Sequence, residues 1–404
     1  MSKANPNFQK LKRDYIFPVI DKKLEKIRQD RPDTRILNFG VGDVVLPIRN
    51  SIIKALVQAV QEMGEIPHGY GPSVGYPFLR KAIVDHEYGK YGINANEVFI
   101  SEGTKADSVN LLELFDKRCK IAIQDPTYPS YLDACIMDGR TKMPKKSGLY
   151  SDILYLPCTP ENHFIPTPPK RSCHVVYLCS PNNPTGVALT RKDLEEWIAY
   201  ARSHNAVIIL DAAYEAFISS PDVPRSIYEL PFAQEVAIEL RSFSKSAGFT
   251  GLRCAYAIIP NRLQIVLNKQ KVSLNSLWTQ RQNIKTNGIA YPIQKAAEAA
   301  LKKTTQEETK QDIQYYLTQA KRLKEALLAL NQTCYGGVDC PYIWWKVPNL
   351  QSSWEFCDHL INTLQIVTIP GSAFGVHGEG FIRLSTFATD SDVDEAILRL
   401  QQLR

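Results

Sequence analysis

The sequence predicts an α/β fold: a large domain with a mostly parallel sheet flanked by helices, plus a smaller α+β domain. Three observations predict it. Short, continuous apolar runs at 121–123, 175–178, 207–210 and 236–240 read as strands buried on both faces. A helical stripe, Leu194, Trp197, Ile198 and Ala201, lies between the second run and the third, which makes a βαβ unit with a right-handed crossover. After about residue 290 the texture changes to a long polar-faced helix and shorter strands.

In order along the chain, residues 1–45 read as an arm that joins the smaller domain, with an amphipathic patch at 15–27 and a brief strand at 36–39. Gly40-Val41-Gly42-Asp43 ends that strand; on its own it reads as a turn or as a close backbone approach to a ligand. The large domain spans 46–290. It opens with a helix at 50–63, apolar at Ile52, Ile53, Leu56 and Val60, followed by a glycine-rich loop that holds Tyr70 between Gly69 and Gly71. Ser101-Glu102-Gly103-Thr104-Lys105 follows the strand 98–100 and starts a helix. It is equally a phosphate cradle and a common strand-to-helix connection. Thr190-x-x-Asp193 caps the helix after 175–178. The smaller domain, 291–404, carries a helix at 307–330, strands at 342–347, 366–369 and 381–384, and a closing helix at 392–400.

The composition is that of a globular chain: 404 residues, 44% hydrophobic and 22% charged. The +6 formal charge (48 basic less 42 acidic) is scattered, which excludes the clustered stripe that a nucleic-acid partner requires; Lys142 to Lys146 reads as a solvated loop. Nine cysteines without C-x-x-C pairs, no secretory leader and no apolar run of membrane-spanning length predict reduced thiols in a cytoplasmic protein, with neither membrane nor metal.

Function concentrates at Arg241 to Arg253, RSFSKSAGFTGLR. Lys245 supplies an amine, Ser242 and Ser244 supply hydroxyls, and Arg253 supplies a fork suited to phosphate. Pyridoxal 5′-phosphate needs such a set: an amine to form the Schiff base and donors for a phosphate dianion. Ligands in parallel sheets bind beyond the carboxyl ends of the strands, and the polar candidates stand there: Tyr128 after the first run, Asn183 after the second, Asp211 and Tyr214 after the third, Lys245 after the fourth. Asp211 is the acid for the pyridine nitrogen, Asn183 and Tyr214 are donors to the ring hydroxyl oxygen, and Tyr128 is a flat ring to stack on the cofactor.

The spacing S-x-S-K-x-x-G-x-x-G-x-R and the NPTG of Ser180 to Gly186 resemble those of fold-type I, class I/II PLP-dependent aminotransferases, over almost the full length. The stretches QDPTYPSYLDA, PRSIYELPFAQEVAIELRSFSKSAGFTGLR and IPGSAFGVHGEGFIRLS are similar to the subfamily of LL-diaminopimelate aminotransferases. The resemblance implies ping-pong transfer of an amino group from glutamate to tetrahydrodipicolinate through Lys245. It implies that Thr104, Lys105, Ser242, Ser244 and Arg253 hold the phosphate. Tyr15, Gly42, Lys105, Tyr128, Asn183, Asn287 and Arg383 contact substrate, Arg383 as the α-carboxylate clamp. Tyr70 and Asn287 act across a homodimer interface. One departure stands out: the subfamily carries a glutamate two residues after Gly71, and this chain has Ser73. That glutamate would pair with the substrate's distal ammonium, so its loss leaves open a broader substrate range. Aspartate- or aromatic-type transamination and C–S lyase chemistry remain the alternatives.

Overall fold

In the computed structural model, which describes residues 2–11, 16–30, 32, 34–348 and 351–403, the central element is a seven-stranded sheet. Its strands are β1 (Val98–Ser101), β2 (Ile121–Asp125), β3 (Ile153–Pro157), β4 (Val175–Cys179), β5 (Val207–Asp211), β6 (Ala237–Ser242) and β7 (Ala255–Ile258). They lie in the order β1-β7-β6-β5-β4-β2-β3. Strands β2 to β6 run parallel; β7 is antiparallel to both of its neighbours.

The apolar runs form strands because both faces of the sheet are covered. Val176, Leu178, Ile208 and Leu210 pack into one core and Val175, Tyr177, Val207 and Ile209 into the other. Alternate side chains of a strand point to opposite faces. Helix Arg191–His204 supplies one cover. Thr190 Oγ1 accepts from the Asp193 N–H while the Asp193 carboxylate accepts from the Thr190 N–H at 2.8 Å, the expected capping box.

A second, four-stranded antiparallel sheet is built from β8 (Cys334–Gly336), β9 (Tyr342–Lys346), β10 (Ile369–Pro370) and β11 (Phe381–Ser385), in the order β8-β9-β11-β10. Leu37–Asn38 pairs in parallel with Ile366–Val367, so the expected early strand lies against the C-terminal part of the chain. Helix Ile16–Asp30 takes up the amphipathic patch; Tyr15 lies outside the described residues.

Several boundaries differ from expectation. The fourth run begins one residue late, because Val236 closes the short helix Ala233–Val236. The long helix is Lys303–Ala329 and the closing helix begins at Asp390. Strands β3 and β7 and the hairpin Gln264–Leu267/Gln270–Ser273 were not read from the sequence. In helix Asn50–Glu65, Ile52 is buried, but Ile53, Val57, Val60 and Met63 are exposed in a single chain. All nine cysteines are free thiols. Among the described residues no helix is long and apolar enough to cross a membrane, and no His/Cys/Asp/Glu group could hold a metal ion.

Candidate active site

The carboxyl ends of β1, β2, β4, β5 and β6 open on one cavity of about 340 Å³. It is lined by Gly42, Thr104, Lys105, Tyr128, Asn183, Asp211, Tyr214, Ser242, Ser244, Lys245, Arg253 and Arg383. Residues scattered over most of the chain therefore converge, as their places at strand ends led one to expect. Tyr70 and Asn287 do not line it: both sit on an exposed face, Tyr70 at 92% exposure. There Gly288 is so close to Pro72 that an added Cβ would stand 2.6 Å from its carbonyl oxygen, and Ser73 Oγ hydrogen-bonds Asn283.

Lys245 sits in the four-residue helix Phe243–Ser246, whose cap is Ser242 Oγ accepting from the Ser244 N–H at 3.0 Å. Its Nζ donates to the Gly42 carbonyl. Burial pushes its ammonium down to about 8, helped by Arg383 and Arg253 and opposed by Asp43. A lysine so lowered is a usable nucleophile near neutral pH.

Asp211 ends β5 and is buried. Its Oδ2 accepts from Tyr131 at 2.6 Å and its Oδ1 from the Ala213 N–H at 3.0 Å. Burial raises its pKa, and both hydrogen bonds pull it back. A carboxylate held in this way can keep a proton on a ring nitrogen. Above it, Tyr214 and Tyr342 share a hydrogen bond of 2.6 Å between their hydroxyls. Tyr342 also explains Gly42, since a Cβ there would stand 2.1 Å from its hydroxyl oxygen.

At the opposite end, Gly103 precedes helix Thr104–Asn110; a Cβ on it would meet Arg253 Nη2 at 2.5 Å. Arg253 Nη1 reaches Ser244 Oγ at 3.4 Å. Bare backbone, two serines, a threonine and two cations (Lys105, Arg253) make an anion cradle.

Arg383, in β11, is 2% exposed. It donates to Asn183 Oδ1 and to the Gly40 carbonyl, each at 2.6 Å, and lies over the rings of Tyr342 and Phe374. Its Nε has no partner, and no carboxylate pairs with it among the described residues. A buried cation without a counter-ion is costly, so the site is built for an incoming anion.

Sequence reasoning missed Tyr131, Tyr342, Phe374, Cys179 and Asp43, all on the cavity wall. Tyr131 was within reach, lying three residues beyond Tyr128 in QDPTYPSY. Cys179 ends β4 and Asp43 follows Gly42, so both stood beside positions already singled out; Tyr342 and Phe374 carry no local signal, because they arrive through packing of the two sheets.

A family model described as aminotransferase class I and II matches residues 34–400. The chain is 46% identical over 409 residues to the LL-diaminopimelate aminotransferase of Lachnospira eligens, with all of both chains covered. It is 42% identical over 406 residues to that of Methanosphaera stadtmanae, with 99% of each covered. Its structure resembles the solved L,L-diaminopimelate aminotransferase of Chlamydomonas reinhardtii at 36% identity and TM-score 0.94, covering 100% of this chain and 98% of that one.

Proposed function

The chain belongs to the class I and II aminotransferase family, and from that premise we propose that it is an LL-diaminopimelate aminotransferase using pyridoxal 5′-phosphate. The reaction moves the amino group of glutamate onto tetrahydrodipicolinate and yields LL-2,6-diaminopimelate and 2-oxoglutarate, in ping-pong order. One observation carries the reading: a lysine made nucleophilic by burial shares a cavity with a hydrogen-bonded acid and a buried arginine that pairs with no carboxylate among the described residues.

The residues present fit the cofactor. About 340 Å³ is within the range of small-molecule sites, and a side chain at Gly103 would displace the Arg253 guanidinium from the cradle. Thr104, Lys105, Ser242, Ser244 and Arg253 would hold the phosphate, Tyr128 would cover the ring, Asp211 would face its nitrogen, and Asn183 and Tyr214 would face its hydroxyl. Bound there, the cofactor supplies an aldehyde and an electron sink for the substrate α-carbon. Lys245 then has two tasks. It would hold the aldehyde, and as a free amine it would carry the proton of the substrate α-carbon. Arg383 grips the α-carboxylate in a bidentate fork, which keeps the α-proton within reach of Lys245. Gly42, Tyr15 and Lys105 complete the substrate side, with Lys105 the cation for a second carboxylate.

A homodimer completes the picture. Ile53, Val57, Val60, Met63, Ile66 and Ile284 are exposed apolar side chains, and the exposed face of the molecule carries Tyr70 and Asn287. A second copy would cover that surface and bring the partner subunit's Tyr70 and Asn287 to this cavity. The chain would divide into an arm (1–45), a cofactor-binding domain (46–290) and a smaller domain (291–404), and work in the cytoplasm. Ser73 favours a second reading, a wider range of amino donors.

The test is a half-reaction screen. Purified cofactor-loaded protein is mixed with LL-diaminopimelate, meso-diaminopimelate, glutamate, aspartate or lysine, and loss of its visible absorbance is followed. Fast loss with LL-diaminopimelate and glutamate is expected. No response to LL-diaminopimelate beside a fast response to aspartate would overturn the substrate assignment.

A further inference from the structure

We propose that Asp125 and His377 form a latch between the two sheets that positions Phe374 against Arg383, and so sets how tightly the substrate's α-carboxylate is gripped. The inference rests on the functional reading above only for the identity of that carboxylate.

Asp125 ends β2 in the large sheet and is 1% exposed. His377 belongs to the loop between β10 and β11 of the small sheet. Its Nδ1 lies 2.7 Å from Asp125 Oδ2, and its N–H points to Asp125 Oδ1 at 3.3 Å. Gly375 makes the approach possible: at φ +145°, an added Cβ would stand 1.7 Å from Asp125 Oδ1. Two residues beyond Asp125, the Thr127 N–H donates to the Phe374 carbonyl at 3.0 Å. The loop is thus tied to the end of β2 at Phe374 itself and again three residues beyond it, and the Phe374 ring faces the Arg383 guanidinium at 4.9 Å and lines the cavity.

The same loop is held at its other edge within the small sheet's own layer. Ser372 Oγ and Ser353 Oγ are 3.0 Å apart, and Glu379 accepts from the Ser353 N–H and Oγ at 2.7 and 2.9 Å. The Asp125 contact is therefore a charged one that ties this loop to the large sheet, and without it Phe374 would keep only the Thr127 backbone hydrogen bond on that side.

The latch is titratable. The hydrogen bond from Asp125 raises the His377 pKa above its ordinary value, against a smaller effect of burial. Below that raised value the bond is charge-assisted; above it the imidazole is neutral and the bond weakens. Two other titratable groups near the pair keep their charge state in that range. Tyr155 on β3 and Cys158 just after it are both pushed up to about 12, chiefly by burial. The loop at Gly148, which meets Val376, carries only the exposed lysines Lys145 and Lys146.

The experiment compares the cofactor-loaded wild type with His377→Gln, His377→Ala and Asp125→Asn across pH. In the wild type, KM for glutamate should rise about three- to tenfold as His377 loses its proton, with kcat moving little, since the charge-assisted part of such a bond is of that order. His377→Gln keeps an amide donor that cannot titrate, so that rise should vanish. His377→Ala and Asp125→Asn should show a raised KM at every pH. Lys245 also titrates, but equally in every variant, so the comparison removes it. As a second readout, the affinity of the apoprotein for 2-oxoglutarate, measured by calorimetry, should follow the same pattern. If His377→Gln keeps the wild-type pH dependence, or the variants lower kcat and leave KM alone, the latch is refuted. Should His377→Ala fail to fold, the other two variants decide. A wild type inert to every amino donor would instead refute the functional reading.

Discussion

Replacing Tyr131 by Phe tests the electrostatics at the floor of the cavity. The substitution keeps the ring, which stacks on Tyr177 at a centroid distance of 5.0 Å, and removes only the hydroxyl that donates to Asp211 at 2.6 Å. Donor and acceptor are both buried, at 1% and 6% exposure, so water cannot substitute freely. A hydrogen bond to an ionised carboxylate is worth about 1.5–3 kcal/mol, against about 0.5–1.5 for a neutral pair. Burial already raises the Asp211 pKa, and Tyr131 is the larger of the two bonds opposing that rise. Its loss pushes the carboxyl further up.

Two consequences differ in sign and in assay. In the apoprotein, the raised carboxyl binds protons that the unfolded chain has released, so stability falls as pH rises from about 4, the ordinary carboxylate value. Tyr131→Phe should therefore destabilise the apoprotein by about 1.5–3 kcal/mol near pH 8, and by less as pH falls toward 4. Denaturant titration at several pH values measures this. With cofactor bound, a weaker anion under the ring nitrogen should lower kcat by about tenfold, the equivalent of about 1.4 kcal/mol in the barrier, and leave KM for glutamate almost unchanged. A loss of stability independent of pH, or a KM effect without a kcat effect, would refute the claim that Tyr131 acts by holding Asp211 ionised.

Three other outcomes follow from the same geometry. With Lys245 titrating at about 8, capture of pyridoxal phosphate by the apoprotein should quicken about tenfold per pH unit up to that value and then level off; a rise continuing toward 10.5, the unshifted value, would show the amine to be unperturbed. Gly103→Ala should weaken cofactor binding about ten- to a hundredfold, by driving Arg253 from the cradle. Gly251→Ala, in the same loop as Arg253 but with open space around its Cβ, should not; equal effects in a fluorescence titration would sink the argument. Arg383→Met should raise KM for glutamate by at least about thirtyfold and change apoprotein stability by no more than about 1 kcal/mol, since it removes a buried charge with no carboxylate partner among the described residues.

Much of the site was legible because topology constrains it. In a parallel sheet every strand delivers its carboxyl end to the same edge, so a reactive residue just after an apolar run has a known destination. Tyr128, Asn183, Asp211, Tyr214 and Lys245 were placed in this way, and all five line the cavity. Arg383 lies in an antiparallel strand where no such rule applies, and only the family resemblance pointed to it. Tyr342 and Phe374 reach the cavity by packing of one sheet against the other, which no local pattern encodes. Strand β7 was missed because its short, alanine-rich AYAI gives neither the length nor the branched side chains of a strand signal. Tyr70 and Asn287 mark a different limit, since their proposed role belongs to an assembly and not to one chain.

The sequence also concealed how different two buried arginines are. Run 236–240 was read as an apolar strand, yet Glu239 within it is wholly buried, and Arg241 follows two residues on. Arg241 Nε donates to Glu239 at 2.9 Å and Nη1 to Glu215 at 2.7 Å, with Glu87 at 4.0 Å and the Arg225 carbonyl at 2.6 Å. Glu239 in turn accepts from Tyr88 at 2.5 Å and from the Ile227 N–H at 2.8 Å. The charge of Arg241 is answered from within the fold. Glu215 follows Tyr214, and Arg241 precedes Ser242, so their ion pair ties together the two turns that present the acid and the lysine. Arg383 is buried as deeply but has two carbonyl acceptors, two ring faces and no carboxylate partner among the described residues. Burying an unpaired cation lowers stability, and burying a paired one need not. The difference in pairing separates the two: Arg241 completes the scaffold, and Arg383 fits the proposed role of receiving a ligand's carboxylate.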